Sequence, residues 1–237
     1  MQNESQKMKN LGIGIAVISF YFATLFIPFQ LLPFSLLGID YNMLPLWSRI
    51  IYSLFFELMQ FGFIIFILKD QLKKDLIDLK EHHNEYFKKY FIYWFILLGA
   101  MMISNLLITW FTPNEIANNE QSIHEMLKMA PLYTFITAVF IAPFQEEFVF
   151  RRGIRNIISN DILFILVSGL VFGSLHVITS LTSWWQLLYI IPYSIPGFIF
   201  AYLLTKTNNV LISGFIHFIH NGVLISLQIL LLLLGQL

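Results

Sequence analysis

LGIGIAVISFYFATLFIPFQLLPF, residues 11–34, is a run of 24 residues without a charge. A helix needs about 20 apolar residues to cross about 30 Å of hydrocarbon, so this run reads as a membrane span. It is also longer than the apolar region of a cleavable signal, which predicts an anchor that stays in place. Runs of the same kind recur at 50–68, 90–111, 131–150, 162–178, 184–205 and 210–234. Lipid offers no partner to an unpaired backbone group, so uninterrupted runs of this length predict helices. The expected fold is all-α, a polytopic membrane helical bundle of about seven or eight transmembrane helices.

Composition agrees: 57% of the 237 residues are hydrophobic, 12% are charged and 25 are phenylalanine, far from the balance of a soluble domain. With no cysteine there is no disulfide framework, thiolate metal site or cysteine nucleophile. The formal net charge of zero is uninformative taken whole, and no nucleic-acid partner is expected. Basic residues are unevenly placed. Lys7 and Lys9, the six lysines of residues 69–89, Arg151, Arg152, Arg155 and Lys206 are twelve of the fourteen. All twelve fall on one side if the spans alternate, which predicts a cytoplasmic amino terminus in a cell membrane. Residues 69–89 read as a basic cytoplasmic loop holding a short amphipathic helix. The expected division is three leading helices in 1–130 and a four-helix unit in 131–237 that holds nearly all the unusual polar residues.

An ionisable group at mid-membrane costs roughly 2.5–3.5 kcal/mol on insertion scales, so each one raises a functional hypothesis. Glu57, Glu146, Glu147, His176, His217, His220 and Asn221 are the polar residues of this kind. In PFQEEFVFRRGI, residues 143–154, Glu147 and Arg151 stand four apart on one helix face and can pair, which leaves Glu146 free. In FGSLHV, Phe172 and His176 share a face. In HFIHNG, so do His217 and Asn221, with His220 about 60° around the helix. Taken singly, these residues suit an interfacial cap or interhelical hydrogen bonds. Taken together, they suit two chemistries. Glu146, His176 and His217 could hold zinc and activate water. Alternatively, Glu146 and His176 could activate water directly, while His217 and Asn221 face the developing oxyanion.

The ordered set E-E-x-x-x-R, F-x-x-x-H and H-x-x-x-N, on consecutive spans of 131–234, resembles the CPBP intramembrane proteases. That family comprises CAAX-processing endopeptidases and bacterial bacteriocin-processing or immunity proteins, also called the Abi family. The resemblance implies an endopeptidase acting on a small membrane-associated peptide or protein, with membrane lipid as its surroundings. Glu146 would be the base aided by His176, Glu147 and Arg151 would support it with Phe172, and His217 with Asn221 would form the oxyanion side. Members are described both as metalloproteases and as glutamate proteases, so zinc stays open. A non-catalytic immunity or scaffold protein is the alternative. For His176 and the glutamates to meet, the fourth helix must continue past Arg151 towards Ile158, with the glutamates well inside the membrane.

Overall fold

A computed structural model describes residues 2–112 and 116–236. Among these residues there are helices and turns and no strand. Among the described residues six helices are long and apolar enough to cross a membrane by length and composition. We label the principal helices α1 (Gln2–Phe26), α2 (Leu46–Tyr90), α3 (Ile92–Phe111), α4 (Asn118–Met129), α5 (the helical run 131–157), α6 (Asp161–Ile178), α7 (Ile190–Thr207) and α8 (Val210–Leu233). The bundle is apolar outside and polar within. Trp47, Phe66, Leu106, Trp110, Leu132 and Ile162 are exposed, whereas Glu147, Arg151, Ser168, Ser213, His217 and His220 are buried. Lipid rather than water suits such an exterior.

Two expected boundaries move, and the fourth span extends past Arg151 as expected. The first helix stops at Phe26 rather than residue 34. Pro28 has no N–H to continue the ladder and disfavours helix in the residue before it, so residues 29–36 form only a 3-10 turn and a five-residue helix. Residues 69–89 are not a separate loop helix. They continue α2 to Tyr90 without interruption, about 68 Å of helix at 1.5 Å per residue. The far part lies against α8, with the Phe87 and Phe215 rings 6.5 Å apart. The fourth span runs to Ile157, and Ile158 is the first extended residue after it.

Polar contacts gather at the two ends of the bundle. At one end Gln71 donates to Asn10, and Asn156 donates to Gln71. There Arg152 pairs with Asp75, and Asn209 donates to the Asp75 carbonyl and to Asp78. At the other end Asn118 donates to the Ser180 carbonyl and to Thr182, Gln186 to the Ile116 carbonyl, and Gln228 to Glu120. Each apolar helix joins one end to the other, so the chain alternates, and the basic segments share one end. Small residues let the helices close up. A Cβ on Gly173 would stand 2.1 Å from Ser194 Oγ, and one on Gly14 would stand 2.6 Å from the Gly153 carbonyl oxygen. These contacts draw α6 against α7 and α1 against α5.

Candidate active site

The site is built on α5, which is not a regular helix. Residues Ile136–Ile141 and Glu147–Gly153 are π-helical, and Glu146 ends the short α-helical piece Ala142–Glu146 between them. The first π turn has a readable cause and effect. The Ala142 N–H donates to Thr137, five residues back, and Pro143 has no N–H at all. Neither residue can serve the Ala138 carbonyl. Asn221 of α8 does so instead, its Nδ2 donating to that oxygen at 2.9 Å. In the second π turn the Phe150 carbonyl accepts from Ser168 Oγ of α6 at 2.8 Å. Neighbouring helices thus satisfy backbone groups inside the membrane, as lipid cannot. π turns of this kind are frequent at functional sites.

The two glutamates part company here. Glu147 is fully buried. Its Oε1 lies 3.0 Å from an Arg151 terminal nitrogen and 3.3 Å from His217 Nδ1. Arg151 is fully buried too. Among the described residues none of its three guanidinium nitrogens has a hydrogen-bond partner, so the Glu147 charge and aromatic faces hold it. The guanidinium lies 4.5 Å from the Phe172 ring centre and 5.5 Å from that of Phe200. Glu146 keeps 17% of its side chain exposed, and His217 Nε2 lies 3.7 Å from its carboxylate. His217 therefore stands between the two carboxylates, stacked on Phe200 at 4.7 Å.

His176 approaches from α6. Its Nδ1 lies 2.9 Å from the Phe172 carbonyl. A carbonyl can only accept, so Nδ1 carries the hydrogen and Nε2 is left with a lone pair in the neutral ring. The ring packs on Phe172 at 4.5 Å and stacks on Tyr193 at 5.1 Å. Glu146, His176, His217, His220 and Asn221 line one cavity of about 230 Å³. A second cavity of about 390 Å³ holds Glu57, Tyr133 and Gln145 and also reaches Glu146. Glu57 accepts a hydrogen bond from Tyr133. Measured from the basic end at 1.5 Å per residue, Glu146, His176 and Asn221 lie roughly 16–22 Å deep and His217 about 10 Å.

Among the described residues no three His, Asp or Glu side chains converge closely enough to hold a metal ion. Glu146, His176 and His217 share a cavity wall without forming a ligand set.

Several lining residues are not apparent from the motifs. α4 lies between the apolar runs 90–111 and 131–150, where none of the motifs falls, yet Asn119 and Glu120 face the cavity. Asn119 donates to the Tyr193 hydroxyl at 3.3 Å, so α4 supports the ring on which His176 stacks. His220 is buried in the cavity wall, and its Nδ1 has no partner. The apolar face of α4 gives one signal in the sequence, with Ile123 and Leu127 four residues apart and packed in the bundle.

Fold and site together define a polytopic helical membrane protein with a buried glutamate–histidine centre. Residues 128–223 match the family described as type II CAAX prenyl endopeptidase Rce1-like. The "Putative membrane peptidase YdiL" of Bacillus subtilis (strain 168) is 25% identical over 116 residues, 48% of this chain and 44% of that protein. The UPF0177 protein YvdC of Lactococcus lactis subsp. lactis (strain IL1403) is 30% identical over 114 residues, 46% of this chain and 41% of that one. The stretch that is similar to this family, residues 128–223, contains all three motifs. The chain spans less than half the length of either relative. No solved structure matches.

Proposed function

We propose that this chain is an intramembrane endopeptidase that hydrolyses a peptide bond in a small membrane-associated peptide or protein. One observation carries the reading. Of two adjacent glutamates, Glu147 is locked by Arg151, while Glu146 opens on a polar cavity shared with His176, His217 and Asn221.

In this reading Glu146 takes a proton from a water that the His176 Nε2 lone pair helps to orient. The hydroxide adds to the substrate carbonyl carbon, and the carbonyl π electrons move to oxygen. His217 and the second amide hydrogen of Asn221 face that oxyanion. The tetrahedral intermediate collapses with cleavage of the C–N bond, and Glu146 returns its proton to the leaving amine. General acid–base assistance of this kind contributes typically about 10²–10⁴-fold. Glu147, Arg151 and Phe172 hold the arrangement. The second cavity, which also reaches Glu146, would give water, or one arm of the substrate, a further approach to the carboxylate. The protein would work in a cell membrane with its basic end in the cytoplasm.

The test compares peptides in membranes from cells expressing the intact protein and the Glu146→Gln variant, matched for folded protein. Products present only with the intact protein support the reading. Identical peptide profiles, with Glu146→Gln still conferring the phenotype of the intact gene, would sink it in favour of a non-catalytic immunity or scaffold protein.

A further inference from the structure

A second polar cavity lies far from the glutamates, at the basic end of the bundle. It measures about 560 Å³ and is bounded by α1, α2, the end of α5 and Asn208 of the α7–α8 turn. Its wall carries four cations, Lys7, Lys74, Arg152 and Arg155, with Asn10 and Asn156 as amide donors. The acidic residue in the same wall, Asp75, is already occupied by Arg152 and by the Val210 N–H. Arg155 is paired with Asp161. Lys7 and Lys74 have no ion-pair partner among the described residues, and Arg152, 7% exposed, has an Nε without a hydrogen-bond partner.

A neighbouring cavity of about 410 Å³ shares Lys7, Asn156 and Ile157 with the first. Its remaining wall is formed by Glu4, Met8 and Leu11. Lys7 and Met8 are on α1 just before its uncharged stretch, Leu11 opens that stretch, and Lys74 follows the apolar part of α2, so the paired cavities sit where hydrocarbon gives way to water. The order is a cationic chamber continued by a largely apolar one along a lipid-facing helix. That is the chemistry of a phosphate carried on an acyl glycerol. Basic pockets between membrane helices take such headgroups, and Lys presents a compact point charge to a phosphate.

We infer that this cleft is a binding site for the phosphate group of an anionic phospholipid, with Lys7 and Lys74 as its free cations and Met8, Leu11 and Ile157 flanking the first carbons of an acyl chain. The site is independent of the peptidase reading, because none of its residues lies in the cavity of Glu146.

The experiment measures binding of phosphatidylglycerol and of phosphatidylcholine to the purified, detergent-solubilised protein by native mass spectrometry, with melting temperature as a second readout. Phosphatidylglycerol is expected to bind preferentially, and the Lys7→Gln/Lys74→Gln variant to bind it about thirtyfold more weakly, since each lysine near an anionic surface contributes a factor of about five. The Lys7→Arg/Lys74→Arg variant should retain the preference. Both lysines are exposed, so these variants should melt like the parent without lipid. Equal binding of the two lipids, or undiminished phosphatidylglycerol binding by the glutamine variant, overturns the site. Inorganic phosphate is the third arm: protection by phosphate as strong as by the lipid would overturn the lipid assignment in favour of a free phosphate.

Discussion

Glu146 and Glu147 are consecutive in the chain and opposite in surroundings: Glu147 has no exposed surface and lies 3.0 Å from Arg151, whereas Glu146 keeps 17% of its side chain open to the cavity. Substitutions that look alike should therefore fail in different ways. Glu146→Gln keeps the shape of a partly exposed side chain, so its melting temperature should match the parent while cleavage falls about 10²–10⁴-fold. A fully active Glu146→Gln protein would remove the base from the proposal.

Arg151→Ala leaves the Glu147 carboxylate buried without its cation, which typically costs about 3–5 kcal/mol. The expected result is a clear loss of melting temperature in detergent, measured before any assay of activity. Replacing both partners together, as Glu147→Gln with Arg151→Met, removes the stranded charge and should recover part of that loss.

Pro143 and Asn221 are linked through the Ala138 carbonyl. Asn221→Ala strands that carbonyl inside the membrane, and about 1–3 kcal/mol of stability should be lost. Pro143→Ala restores an N–H near the same oxygen and gives the helix a chance to return to regular register. This variant should melt no lower than the parent yet cleave more slowly, since misplacement by about 1 Å can cost about 100-fold. A Pro143→Ala protein with unchanged activity would show that the π register is incidental to the chemistry.

Tyr193 supports His176 by stacking and is itself held by Asn119. Tyr193→Phe keeps the ring and should retain most activity, whereas Tyr193→Ala removes the face against which the imidazole rests and should approach the loss seen in His176→Ala. Peptide cleavage by the three variants, at matched folded protein, is the comparison that checks this.

Chelation provides the remaining comparison. With no convergent ligand set among the described residues, activity should survive treatment with a strong chelator. Loss of activity on chelation, restored by zinc alone, would overturn the direct glutamate mechanism.

The sequence made the apolar runs legible because crossing a bilayer demands length and composition together. It misplaced ends wherever that demand lapses. Nothing apolar marks the stop of α1 before Pro28, and nothing polar forces α2 to end where the hydrocarbon ends, so residues 69–89 simply remain helical. The site was legible as residue types: glutamates, arginine, histidines and asparagine at helical spacing. Its internal wiring was not. The bond from Asn221 to Ala138 depends on a π register that no side-chain pattern reports, and Tyr193 is one aromatic among many in an apolar span. α4 escaped notice because a short polar helix that covers a cavity has the composition of a loop.

A π turn has one further meaning, in units of chain length. Each such turn contains one residue more than an α-helix needs for the same path, so the segment Ile136–Ile141 amounts to a single-residue insertion kept in a membrane helix. Deleting one residue there would yield a smoother helix and a more conventional ladder. It would also rotate everything beyond it by about 100°, turning Glu146 off the cavity wall and carrying Arg151 out from between Phe172 and Phe200. The irregularity is therefore the element that aims the carboxylate, and a tidier helix would be a bundle with its polar centre facing the wrong neighbours.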